Sequence, residues 1–175
     1  MKFVNGVSVK KESEQKLHYH RGDDLIMMEI KRCVTCMFIN NEGKILLLQH
    51  KKCKEKLQLP AGTLEPNEIS MGIQTGAKLA AVREMKEELD IHIRPRDLVK
   101  LSDRYVYYDR IDGHKIYKEV GFLVTTYEGE IKNMEPDKHK RMVWMDPEEI
   151  FEHPELYTYG TWSSVVSYMQ GKNML

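Results

Sequence analysis

Apolar positions along the chain fall into short, dense runs separated by polar breaks. "CVTCMFIN" and "KILLLQH" read as strands, joined by the compact turn Asn40-Asn41-Glu42-Gly43. Upstream, "KFVNGVSV" reads as a short strand or hairpin, followed by a polar stretch through Asp24 of unassigned structure. "LQLPAGTLEPNE" combines a short strand with a Pro/Gly loop. Further on, "RYVYYDR" and "KIYKEVGFLVTTY" flank Asp112-Gly113, a hairpin signal, and "RMVWMD" is another strand. The period changes to helical between Thr75, a candidate N-cap, and Asp90. There Leu79, Val82, Met85 and Leu89 make one apolar face, while Ala77, Ala80 and Ala81 lie on another side. Those small residues admit a close backbone, so this helix is expected to be covered on both sides. "PEEIFEHP" predicts a short helix, and "TWSSVVSYMQ" an amphipathic one with Thr161 or Ser163 near its start. Mixed strands with helices on both sides predict an α/β fold, an α/β/α sandwich around a mixed central sheet.

Composition narrows the classes without choosing among them. A chain of 175 residues fits one domain, and no repeat, low-complexity segment or linker divides it. The expected organisation is a single domain over 1–175, with residues 1–30 as an N-terminal extension and 151–175 as a C-terminal helix. Its 27 basic and 27 acidic residues balance, so no overall field draws nucleic acid or an anionic membrane. The basic run from His50 to Lys56 reads as a solvated loop after a strand, with steering of a phosphate substrate as the competing reading. Cys33, Cys36 and Cys53 cannot all pair within one chain. The Cys33-x-x-Cys36 spacing has no second half and lies in an apolar run, which makes these strand-core cysteines. His18 and His20 have ligand-like spacing without a nearby ligand partner, and read as surface histidines. The N-terminus has no signal-peptide pattern and no run reaches transmembrane length, so a reducing, cytoplasmic setting is expected.

Candidate chemistry enters with "REMKEELDI", residues 83–91. Glu84, Glu87 and Glu88 fall within roughly a 100° arc of a helix. Like charges spaced i,i+4 repel by a few tenths of a kcal/mol. Either solvent, Arg83 and Lys86 offset that repulsion, or a cation does. Three such carboxylates supply the oxygen ligands that a hard divalent ion takes, and magnesium shares its shell with water and substrate phosphates.

The wider segment "GTLEPNEISMGIQTGAKLAAVREMKEELDI" resembles the Nudix hydrolase signature. Gly62 and Glu68 match its first half; Arg83, Glu84, Met85, Glu87, Glu88 and Ile91 match its second. Trp144 with Glu149-Ile150 is similar to the family's usual ending, so the resemblance spans about Lys31 to Ile150. Two positions depart from the pattern. Fourteen residues separate Glu68 from Arg83 where the family has seven, marking "ISMGIQT" or a neighbouring stretch as an insertion. Seven residues would add about two helical turns, whereas Gly72 and Gly76 favour a bulged loop. Asp90 replaces the glycine at the helix end.

The resemblance implies hydrolysis of a nucleoside diphosphate linked to another group, NDP-X, by a magnesium enzyme of the MutT-like type, with Mn²⁺ as a substitute ion. It implies Glu84, Glu87 and Glu88 as metal ligands, with Glu87 or Glu88 polarising water, Arg83 orienting a carboxylate and the Gly62 backbone completing the shell. Glu68 would support the loop and the arginine. Glu135 in "KNMEP" holds the place where triphosphate-cleaving members carry an acidic residue, and is the candidate general base. Tyr107 and Trp144, with Tyr105 and Tyr108, are candidates to stack a base, against ordinary strand packing. A (deoxy)nucleoside triphosphate is the favoured substrate, with ADP-ribose or another nucleotide sugar as runner-up. A non-cleaving nucleotide-binding module is the rival of a different class; such modules usually lose metal glutamates, and all three are present here. The implied partner is a nucleotide-type small molecule, with no membrane and no specific nucleic acid; a homodimer is compatible.

Overall fold

The computed structural model describes residues 30–108, 111 and 115–174 with their side chains, together with the backbone of the strands at 2–4, 7–13, 16–21, 24–29, 109–110 and 113–114. Strands β1 (Lys2–Val4), β2 (Val7–Ser13), β3 (Lys16–Arg21) and β4 (Asp24–Met37) pair antiparallel in succession. The described backbone within the polar stretch through Asp24 is therefore strand, and the expectation for His18 and His20 lies outside the described side chains. The C-terminal half of β4 then runs parallel to β9 (Gly113–Val124), from Ile30↔Ile116 to Met37↔Leu123. Antiparallel β8 (Leu98–Arg110) flanks β9, and the short β7 (Ala61–Thr63) pairs with β4. Of the Asp112-Gly113 turn expected between β8 and β9, Gly113 opens β9 opposite Arg110, and Asp112 lies outside the described residues. A second sheet pairs β10 (His139–Met145) with β5 (Ile45–His50), and β5 with β6 (Leu57–Gln58).

Side chains alternate along these strands, so each can feed two cores. On one face, Val34, Cys36 and Phe38 with Leu46, Leu48, Val120 and Phe122 pack against helix α2 (Ile73–Leu89). On the other, Met37, Ile45 and Leu47 meet Ile150 of α3 (Pro147–Glu152) and Val165 and Met169 of α4 (Tyr159–Gly171). The layered α/β architecture is the one the strand and helix pattern predicts. Cys33, Cys36 and Cys53 are all buried, and none of the three is in a disulfide. Among the described residues, no helix is long and apolar enough to cross a membrane.

Helix α2 differs from expectation in two ways. It begins at Ile73, capped by Gly72 rather than Thr75, and its buried stripe is Ala77, Ala80, Ala81, Met85 and Leu89. Leu79 and Val82 are only half-buried, because the small alanines let the sheet approach closest on their side. Helix α4 likewise starts earlier than expected, with Thr158 as its N-cap.

The extra residues before Arg83 are neither a plain loop nor a plain extension. Helix α1 (Pro66–Ser70) ends at Met71, Gly72 turns the chain with φ +85°, and Ile73 to Thr75 form the first turn of α2. Gly76 is helical and buried. A Cβ there would lie 1.9 Å from the Glu68 carbonyl oxygen, so glycine is what lets α2 pass this close to α1. Gly76→Ala should therefore destabilise the fold by about 1–3 kcal/mol despite its better helix propensity. Chemical denaturation checks this, and a stabilised variant would contradict it. At the other end, Asp90 adopts the left-handed conformation (φ 56°) and its N–H bonds Lys86 O at 3.2 Å, doing the work of the missing glycine.

Candidate metal and phosphate site

Arg83 organises the acidic residues around it. Its Nε and Nη2 donate to the two oxygens of Glu68 at 3.0 and 3.1 Å, and Nη2 also reaches the Thr63 carbonyl at 2.9 Å. Nη1 donates to Glu84 Oε1 at 2.8 Å and Glu87 Oε2 at 3.1 Å. Glu68 additionally accepts the Glu65 N–H at 2.7 Å, at the start of α1. Burial pushes the Glu68 carboxyl up, but the Arg83 and Glu65 hydrogen bonds together hold it below the usual range. Glu68 thus reaches Arg83 in spite of the insertion, because α1 folds back onto α2.

The three helix glutamates do not share one environment. Glu84 crosses the backbone of Gly62, where a Cβ would lie 1.8 Å from the Glu84 Cδ. Glu88 is buried and accepts the Ala61 N–H at 3.3 Å. Burial, then the nearby Glu84 charge, raise the Glu88 carboxyl to about 8, and burial also raises Glu84. Glu87 instead stands at the exposed edge beside Arg83, its side chain 54% exposed.

The segment after β9 brings a fourth carboxylate to Glu88. Lys132 N–H and Met134 N–H donate to the Leu89 and Glu88 carbonyls at 3.0 and 2.9 Å, bolting the segment to the C-terminal turn of α2. Asn133 Oδ1 then accepts the Glu135 N–H at 3.1 Å, and its Nδ2 donates to the His139 carbonyl at 3.0 Å. One ligand atom each from Glu88, Glu135 and His139 lies within 4.8 Å of the other two. His139 is buried, and desolvation holds its pKa below the ordinary value, so the ring is neutral near pH 7. Sequence reading missed His139. Its "DKHK" context looks like a solvated turn, and only the docked loop buries it.

Glu84 and Glu88 line a cleft of about 620 Å³. Lys51, Lys52 and Lys138 stand on its walls, so the basic run after β5 is both exposed and part of the cleft. Tyr108 and Tyr117 line it too, edge to face with centroids 5.4 Å apart. Tyr107 and Trp144, the aromatic candidates, are not among the lining residues. Neighbouring residues of a strand point to opposite faces, which separates Tyr107 from Tyr108, and Trp144 packs on the α2-side core opposite Leu46. The Tyr108 hydroxyl donates to Glu119 at 2.9 Å, and Glu119, fully buried, accepts Arg104 Nε at 3.2 Å. A charged residue inside the apolar "EVGFLV" run was the available signal for that network.

Fold and cleft define an α/β sandwich protein with a carboxylate cluster, held by one arginine, facing a basic and aromatic cavity. The chain belongs to the NUDIX domain family, whose family model matches residues 29–162. It is 24% identical over 144 residues to the isopentenyl-diphosphate Delta-isomerase of Halobacterium salinarum, covering 81% of this chain and 64% of the isomerase. It is 33% identical over 73 residues to the human 8-oxo-dGDP phosphatase NUDT18, covering 41% of this chain and 20% of that protein. The chain thus spans less than two thirds of either curated relative's length. A MutT NUDIX hydrolase from Burkholderia pseudomallei shares the fold, with a TM-score of 0.62 at 21% identity, over 79% of this chain and 98% of that one.

Proposed function

We propose that this protein hydrolyses the pyrophosphate bond of an NDP-X compound, with a (deoxy)nucleoside triphosphate cleaved to NMP and pyrophosphate. The observation that carries the reading is one cleft shared by Glu84 and Glu88, three lysines and an aromatic pair. Those are the groups needed, in turn, for a metal, for phosphates and for a base. The names of both curated relatives contain a diphosphate-bearing ligand, in keeping with that choice.

Carboxylate oxygens that repel one another and are short of water fit a hard divalent ion. Mg²⁺, or Mn²⁺ in its place, would supply charge neutralisation and a more acidic bound water. Glu84 and Glu88, with the Gly62 backbone, are the groups to hold it. Arg83 aims Glu84 and Glu87 through a single nitrogen, and Glu68 fixes the guanidinium plane. Lys51, Lys52 and Lys138 offset phosphate charge, and the Tyr108 ring, anchored through Glu119, offers an edge or face to the base. Glu135 acts at the reacting end beside Glu88, as base or as metal ligand.

A Mg²⁺-dependent nucleotide screen with products separated by chromatography tests the reading. NMP plus pyrophosphate is the expected result. AMP plus ribose 5-phosphate would move the substrate to ADP-ribose, and binding without turnover would make this a non-cleaving module. Isomerisation of isopentenyl diphosphate without phosphate release would transfer the chemistry of the isomerase relative instead. Glu135→Gln should lower kcat about 100-fold with KM little changed, since its interaction is made chiefly in the transition state. Steady-state kinetics showing near-normal kcat would remove Glu135 from the mechanism.

A further inference from the structure

His139 is 1% exposed, yet neither ring nitrogen has a hydrogen-bond partner among the described residues. Leaving a buried polar group unpaired is unfavourable, and such groups call for an explanation. A second orphan lies beside it. Glu135 Oε2 is buried and unpaired, while Oε1 is held by Lys138 at 2.5 Å. Glu88 Oε1 stands 3.7 Å from His139 Nε2. Around an ion with bonds of about 2.1 Å, neighbouring ligand atoms are about 3.0–3.4 Å apart. The present separations, all within 4.8 Å, need only small side-chain shifts to close on one ion.

The surroundings hold this geometry in place. The Glu135 carbonyl accepts the His139 N–H at 2.9 Å, so one turn of chain brings both side chains together. Asn133 brackets that turn from both ends, and the backbone bonds to Leu89 and Glu88 fix it to α2. The His50 ring packs edge-on against His139, with centroids 5.3 Å apart.

We infer that Glu88, Glu135 and His139 form a nitrogen-containing metal position that takes a borderline transition ion, such as Co²⁺ or Zn²⁺, in preference to Mg²⁺. Magnesium prefers an all-oxygen shell and keeps its waters, whereas imidazole suits the softer ions. The inference goes beyond the hydrolase reading and does not depend on it, because ion binding is measured without nucleotide.

The test uses the metal-stripped full chain with Mn²⁺ alone. Pulsed EPR should show ¹⁴N modulation from a coordinated imidazole in the unmodified protein, retained in His50→Gln and lost in His139→Gln. In calorimetric titrations Zn²⁺ should bind more tightly than Mg²⁺, and that preference should shrink in His139→Gln. His139→Gln and Glu135→Gln should each weaken Mn²⁺ by about tenfold or more. Glu135→Gln and the unmodified spectrum keep the test decisive if His139→Gln does not fold. Oxygen-only coordination in the unmodified protein would overturn the inference. So would modulation that survives His139→Gln, or unchanged Mn²⁺ affinity in Glu135→Gln. Whichever result is found, Mg²⁺-dependent nucleotide hydrolysis is scored separately.

Discussion

Glu88→Gln is expected to cut metal-dependent turnover by about 100-fold or more and, at the same time, to stabilise the metal-free protein at alkaline pH. The first effect follows from the proposed role of Glu88 as a charged oxygen ligand at the reacting end of the cleft. The second follows from linkage. Burial and Glu84 raise this carboxyl from an ordinary 4.5 to about 8 in the folded chain. Between those values the folded chain holds a proton that the unfolded chain has released, so stability falls as pH rises through the window. Glutamine keeps the buried shape without that proton. Thermal melts in chelator should show the variant ahead of the unmodified protein above about pH 8, with the gap closing toward about pH 5. A gap independent of pH would show that Glu88 is not desolvated as described.

Arg83→Met should cost about 3–5 kcal/mol, because it leaves the buried Glu68 carboxylate without its cation. For a chain of this size that corresponds to a fall in Tm of roughly 6–20 °C. Turnover should collapse as well, since Glu84 and Glu87 lose the nitrogen that aims them. Arg83→Lys should rescue little. An ammonium cannot bridge both Glu68 oxygens, Thr63 O and Glu84 with the planar fork that guanidinium supplies. Combining Arg83→Met with Glu68→Gln should recover part of the stability, by removing the orphaned charge, but none of the turnover. Full activity in Arg83→Lys would show that charge alone, rather than the fork, is what the site uses.

Much of this arrangement is legible in the chain because its physics is local. "CVTCMFI" and "ILLLQH" are strands since unbroken apolar runs of that length bury on both faces, and the two cores use alternate residues of each. The helix carrying Arg83, Glu84, Glu87 and Glu88 follows from its period, and so does the clustering of those charges on one side. The helix start was misplaced for an equally local reason. Gly72 and Gly76 read as loop residues on propensity, but their use here is a turn and a close helix crossing, which depend on where α1 lies.

The sequence by itself determined which residue types could do metal and phosphate chemistry, and that four of them would share one helix. Tertiary structure decided how they divide. Glu88 is desolvated by β7 and the docked loop, while Glu87, one residue away, stays in water beside Arg83. It also turned Tyr108 into the cleft rather than Tyr107, and buried His139 against Glu88 and Glu135. Spacing along a chain encodes direction on a helix or strand. Desolvation, and with it proton affinity and ligand character, depends on the segments packed opposite, which no local pattern shows: the Ala61 N–H reaches Glu88 across 27 residues.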